Sequence, residues 1–274
     1  MAGQIRIGTS GWVYPPWRGV FYPEKLVHRR ELEYLSGRLN SVKINGSFYS
    51  LQRPSSYLSW REQTPGGFVF AVKGGRFITH MKKLRDVNTP LANFFASGVL
   101  ALEEKLGPFL WQLPPTLPYD RDLLAKFFAM LPRSTGEAAE LASRHDERLD
   151  GRALTVAESR APLRHALEVR HPSFTDPAFP GLLREHDIGL VIADAAADWP
   201  YLEQVTTDFA YVRLHGSTEL YTSGYTPESL DEWAARIRAW TAEGLDTYAY
   251  FDNDAKVRAP FDALALSERL DLPW

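Results

Sequence analysis

At residues 167–170 the apolar Leu167 and Val169 alternate with Glu168 and Arg170. Successive residues of a strand point to opposite faces, so the two charged groups share the face away from the apolar pair. The same alternation sets Lys43 and Asn45 against Val42 and Ile44, and Arg213 and His215 against Val212 and Leu214. Lys73, Gln112, Asp194 and Asp252 close further apolar runs, with the same facing expected. Cations, carboxylates and an imidazole gathered at one level suit the binding of an anion together with proton transfer. Glu168 is then the general acid or base and His215 its proton partner, with Asp194 as a further catalytic carboxylate. Lys73, Arg170 and Arg213 hold the anionic group, and Asn45, Gln112, His80, Asn253 and Asp254 contact polar groups of the ligand. The competing reading is a structural ion-pair network plugging a barrel, because an isolated buried ion costs several kcal/mol.

The loops near these runs add weaker signals. After Lys73 come Gly74, Gly75, Arg76, His80, Lys82 and Lys83. A glycine pair among cations can form a backbone nest for phosphate or carboxylate. Trp12, Trp17, Phe48, Tyr49, Phe174 and Tyr225 lie in or near loops that follow apolar runs, where a ring could stack on a sugar or a base. Each of them taken singly reads more readily as packing.

Positioning so many polar groups at one level needs many strands. Short apolar runs fall at 5–9, 41–45, 68–73, 109–112, 165–170, 189–194, 209–215 and 246–252. Helical patterns occupy 30–37, 55–63, 89–106, 120–131, 177–186, 227–243 and 260–270, the last three opened by a proline suited to a first helical turn. Eight strands alternating with helices predict one (β/α)8 TIM barrel spanning 1–274 as a single domain, with its site at the C-terminal ends of the strands. A doubly wound sheet is the alternative fold, but the G-x-G-x-x-G turn it would want is absent. The stretch before 209 is short and holds Trp199 and Pro200, so the sixth helix is expected to be irregular or missing. Residues 132–162 form a polar insertion before the fifth strand, read as a surface helix in preference to a lid.

Composition narrows the function classes. The chain has 274 residues, 45% of them hydrophobic, and a formal net charge of −3, which disfavours non-specific polyanion binding. It contains no cysteine, which excludes disulfides, thiol nucleophiles and Cys-ligated metals. The first four residues run straight into an apolar strand, and no apolar stretch is long enough to span a membrane, so the expected compartment is the cytoplasm. Kinase and dehydrogenase readings lack their phosphate and dinucleotide loops.

Several strand-end stretches together resemble the YecE-like family, called domain of unknown function 72. They are GTSGW at 8–12, FY before Pro23, NGSFY at 45–49, FAVK ending at Lys73, THMKKL at 79–84 and LGPFLWQLPP at 106–115. EVRHPSF at 168–174, which contains His171, YVRLHG at 211–216 and FDND at 251–254 complete the set. The resemblance covers nearly the whole chain and implies a TIM barrel, with His171 added to the binding groups. It implies no established activity. Where the family pattern has a glutamate, this chain has Lys43; where it has asparagines, this chain has Asp252 and Asp262. The charge changes cancel, which predicts compensation in space. The Lys43 ammonium is expected to meet the Asp252 carboxylate across the first strand, where Gly8 leaves room, with Asp262 as the less favoured partner.

The expected function is therefore an enzyme of hydrolase, lyase or isomerase type on a small anionic or sugar-like ligand, with no cofactor. One alternative is a metal-dependent barrel in the style of sugar isomerases or abasic-site endonucleases, with Glu168, Asp194, His215 and Asp254 as ligands of a divalent metal. That version makes nucleic acid a less favoured partner. A ligand-binding protein without turnover is the other alternative.

Overall fold

The computed structural model describes residues 2–273. Strands β1 (Ile5–Thr9), β2 (Ser41–Ile44), β3 (Val69–Lys73), β4 (Leu106–Gln112), β5 (His165–Glu168), β6 (Gly189–Asp194), β7 (Phe209–Leu214) and β8 (Asp246–Phe251) close a barrel in sequence order. Every neighbouring pair is parallel, and β8 returns to β1 with Ile5 opposite Thr247 and Thr9 opposite Phe251. Helix α1 (Glu31–Ser36) follows β1, α2 (Gly46–Tyr49) and α3 (Pro54–Glu62) follow β2, and α4 (Asn88–Ala96) follows β3. Next come α5 (Arg121–Met130), α6 (Thr135–Ala142), α7 (Phe179–Glu185), α8 (Pro227–Ala242) and α9 (Ala259–Arg269). This is the TIM barrel expected from the strand and helix pattern.

Parallel strands are covered on both faces, which explains why their sequences are nearly continuous apolar runs. Outward-facing Val42, Ile44, Val72, Leu167, Ile192, Val212 and Leu214 join the helices in one large core. A second, separate cluster fills the barrel itself and includes Ala71, Leu110, Ala166, Val191, Ala193, Tyr211, Tyr248 and Tyr250. The tyrosines give this plug a polar seam, with the hydroxyls of Ser41 and Tyr250 2.7 Å apart.

The helices begin where sequence chemistry starts them. Asp120 caps α5 by accepting from the Leu123 N–H at 3.0 Å, and Thr226 caps α8, with Pro227 next in line. The run at 89–106, expected as one helix, divides: α4 ends at Ala96, the chain turns at Gly98 with φ 113°, and a 3-10 stretch continues over Val99–Lys105. Residues 132–162 hold α6, capped by Ser134 and packed on α4 through buried Ala138 and Ala142. The rest of the segment is irregular apart from a 3-10 turn at Glu147–Leu149. No helix joins β6 to β7, as the short, proline-bearing connection predicts. Among the described residues, no helix is long and apolar enough to cross a membrane.

Val212 is fully buried between the wall and the helices. Val212→Asp is expected to remove the cooperative thermal transition, because a carboxylate there has no partner to offset desolvation. Val212→Ile should melt within a few degrees of the parent, and a well-folded Val212→Asp would overturn the assignment of facing.

Candidate functional site

Above the tyrosine plug, the next inward layer is ionic. Arg213 on β7 is 1% exposed, and its two terminal nitrogens donate to Glu168 on β5 and to Asp252 just past β8. Arg170 approaches Glu168 from above: its Nε donates to Oε1 at 2.8 Å, with Nη2 2.7 Å from the same oxygen. The Arg170 guanidinium lies 3.7 Å from the ring centre of Trp199, in the helix-less loop after β6. On the other flank, Lys43 Nζ stands 3.6 Å from Asp252 Oδ1. The predicted pairing across β1 is thus present. Gly8 lets β1 and β2 approach closely, since a Cβ there would fall 2.2 Å from the Ser41 carbonyl oxygen. Asp262, the less favoured partner, instead accepts from Asn253 Nδ2 at 2.8 Å and from the Tyr225 N–H at 3.2 Å.

These neighbours fix the protonation states. Glu168 would be pushed up by burial, but Arg213 and then Arg170 hold it far below the usual carboxylate range. Asp252 is likewise held well down, against its burial, by Arg213 and then Lys43. Burial, then Arg213, lowers Lys43 to about 8. His215 is lowered to about 4 by burial and then by Arg213, so it is neutral at pH 7. Its Nδ1 lies 3.1 Å from Asp252 Oδ2, and its ring is flanked edge-on by Trp199 and Tyr221, each 5.4 Å away between centres.

Two groups stand apart. Lys73, at the end of β3, is only 7% exposed, and among the described residues no carboxylate comes within salt-bridge distance. Its ammonium lies 4.1 Å from the centre of the Phe48 ring, and burial, then Lys43 and Arg213, holds it well below the normal lysine range. Asp254 is pushed up to about 7 by burial and then by the Asp252 charge. It sits against Tyr14, whose hydroxyl donates to the Ser10 carbonyl at 2.5 Å. Asp254 Oδ1 and Asn45 Oδ1 are buried without a hydrogen-bond partner.

With this geometry in view, the kinship is clear. Residues 6–273 match the family model described as "Protein of unknown function DUF72". The chain belongs to the DUF72 family. It is similar to the UPF0759 protein YecE of Escherichia coli K12, with 31% identity over 129 residues. That match spans 47% of this chain and 44% of the relative, so less than half of the curated relative's length is matched. Among solved structures it resembles a DUF72 family protein from Thermotoga maritima, with 26% identity, coverage of 98% and 99% of the two chains and a TM-score of 0.77. A DUF72 family protein from Enterococcus faecalis shares the fold at 17% identity and a TM-score of 0.75, covering 99% and 97% of the two chains.

The mouth of this DUF72 barrel gathers Lys43, Lys73, Glu168, Arg170, Arg213, His215, Asp252 and Asp254, with Gln112 opposite Glu168 in the strand register. His80 joins them: it meets the Phe48 ring edge-on at 5.1 Å, and burial, then Lys73 and Arg170, lowers it to about 4.

Other expectations need correction. Two guanidiniums hold Glu168 ionised, so it has no proton to give as an acid and is a weak base, and His215 faces Asp252 and not Glu168. Asp194 lies on the helix side of the wall, where Trp233 Nε1 of α8 donates to it at 3.3 Å. Tyr225 packs there too, against Phe251, and its hydroxyl accepts from the Gly216 N–H at 3.2 Å. Asn253, one residue past Asp252, faces outward to Asp262 and to the Ser223 carbonyl. The divalent-metal set of Glu168, Asp194, His215 and Asp254 is therefore not assembled. His171 caps a 3-10 turn by accepting from the Ser173 N–H at 3.1 Å. Gly74 and Gly75 do not form a nest: neither has positive φ, and a Cβ on Gly74 would lie 2.2 Å from the Trp111 ring. Trp17 and Phe174 are packing residues. Trp12 borders a pocket beside the mouth.

Sequence reasoning missed Trp199, Tyr221 and Tyr14 as parts of the mouth. The signal for Trp199 was its place in the one connection too short for a helix.

Two measurements test the electrostatics. Arg213→Met leaves Glu168 and Asp252 buried with a guanidinium removed and is expected to cost about 3–5 kcal/mol in urea unfolding. A double-mutant cycle of Lys43→Met with Asp252→Asn should be non-additive by about 0.5–3 kcal/mol, the range for directly coupled groups; additive effects would mean the pair contributes nothing. Asp254 gives a pH signature. Its folded value lies above its unfolded value of 3.8, so the native state binds the extra proton and stability falls as pH rises from about 4 to about 7. Asp254→Asn removes this penalty, so its melting temperature should gain on the parent between pH 4.5 and pH 8. A constant gap would show that Asp254 ionises normally.

Proposed function

We propose that this protein is an enzyme of hydrolase, lyase or isomerase type acting on a small anionic, sugar-like molecule at the C-terminal mouth of the barrel. The observation that carries this reading is Lys73: a nearly buried ammonium at the mouth with no carboxylate partner among the described residues. Keeping such a group in the fold is costly, and a bound anion offsets that cost. Arg170, held by Glu168 and Trp199, supplies the second donor. Lys43, Arg213, Glu168 and Asp252 act as the rigid base of the site. They hold the anion-binding donors in place and leave the mouth with an excess of positive charge.

Proton transfer falls to Asp254. A carboxyl poised near 7 can both give and take a proton at neutral pH, the condition for efficient general acid–base work. Tyr14 positions it, and neutral His80 offers a ring nitrogen to a substrate hydroxyl. A metal-dependent reading loses support, because Asp194 faces the helices.

The test has two stages. Calorimetric titration with inorganic phosphate should show Lys73-dependent binding accompanied by proton uptake, read from buffers of different ionisation enthalpy, because the anion raises the depressed Lys73. Lys73→Gln should abolish the uptake. Screening with phosphorylated and carboxylated metabolites should then find turnover whose rate titrates near pH 7 and drops about 10²–10⁴-fold in Asp254→Asn. Binding with turnover equal in parent and Asp254→Asn would remove Asp254 from the mechanism; binding without any turnover would make the protein a receptor.

A further inference from the structure

Beside the ionic mouth lies a second cavity of about 370 Å³, at the lower end of the range for small-molecule sites. Its wall is made by Trp12 and Tyr14 after β1, Asn45, Tyr49 and Gln52 after β2, and Trp60 on α3. None of its lining residues carries a charge. The two indoles meet edge to face, 5.2 Å between centres at 82°, and so form a corner. Tyr49 stands beside them with 71% of its surface exposed, more than a packing role explains. Among these rings are two side-chain amides. Asn45 Oδ1 is buried and unpartnered, and Gln52 uses only its Nε2, on Ser50 at 3.1 and 3.2 Å.

Resting on the reading above, we propose that this pocket seats a neutral pyranose ring, and that the substrate is a hexose carrying a phosphate or carboxylate that reaches Lys73. A pyranose has one C–H-rich face and a rim of hydroxyls. The aromatic corner meets the first and the amides meet the second. A nucleobase is flat on both sides and is better served by parallel rings than by a corner. The link to the anion site is short. Phe48 and Tyr49 are neighbours on α2 with ring centres 5.1 Å apart, and the Lys73 ammonium sits on Phe48. Tyr14 belongs to both places, lining the pocket while it touches Asp254, so a ring hydroxyl or ring carbon lodged here faces the proton-transfer group.

The experiment is calorimetric titration of the full chain with hexose 6-phosphates, hexuronates, nucleoside monophosphates and inorganic phosphate. At least one anionic hexose is expected to bind about tenfold or more tighter than inorganic phosphate, the gain of one stacked ring. Tyr49→Ser, at an exposed position that does not threaten the fold, should erase that gain without changing phosphate affinity, and Tyr49→Phe should keep it. If phosphate binds through Lys73 but no hexose exceeds it, the pocket is not a sugar seat and the anion site stands. If nucleoside monophosphates gain more than hexoses, the ring it takes is a base and the proposal is overturned. If inorganic phosphate itself does not bind, the anion site fails and this inference falls with it.

Discussion

One guanidinium fixes the upper half of this barrel. Arg213 is enclosed by the wall, yet it reaches β5 through Glu168 and the end of β8 through Asp252. Burying a charge this deeply is tolerable only because both carboxylates are themselves committed to it. That condition propagates outward. Glu168 is shared with Arg170, Asp252 with Lys43, and each shared contact sets where the next charge can stand.

The network also divides labour among residues that look alike on paper. Glu168, Asp252 and Asp254 are all carboxylates at one end of the barrel. The first two are surrounded by cations and remain ionised, whereas Asp254 is desolvated by burial, has another carboxylate for a neighbour and resists losing its proton. Carboxylates whose environments push their acidities apart suit different tasks, here scaffold and proton carrier. Lys43 and Lys73 divide similarly: one ammonium has a carboxylate within salt-bridge distance, and among the described residues the other has none.

Much of this was legible in the sequence wherever polar and apolar residues alternate. Leu167 to Arg170 and Val212 to His215 carry their own phase, so the inward placement of Glu168, Arg170, Arg213 and His215 follows from reading alone. The run Leu190–Val191–Ile192–Ala193 is apolar throughout and carries no phase, which is why Asp194 appeared to face inward when it faces the helices. Asn253 was misplaced for a simpler reason: Asp252 and Asn253 are adjacent, and adjacent strand residues cannot both look into the barrel. The role of Glu168 was out of reach for another reason. Sequence supplied its direction but not the way two guanidiniums close on it, Arg213 from β7 and Arg170 folding back from two residues further on. Tyr14 and Trp199 escaped because they sit in irregular loops, where no periodicity reports which way a ring points.

The connection from β6 to β7 has a consequence for motion. Where most other connections carry a helix, this one is a loop whose Thr206 hydroxyl accepts from the Leu190 N–H and donates to the Ile188 carbonyl. A loop pinned this lightly can detach as a unit while the rest of the wall stays shut, since local openings follow the segments with least buried apolar contact. Trp199, which covers Arg170, rides on that same loop. The cover over Arg170 can thus lift with the loop, while β6, paired on both sides and packed against α7, stays in the wall.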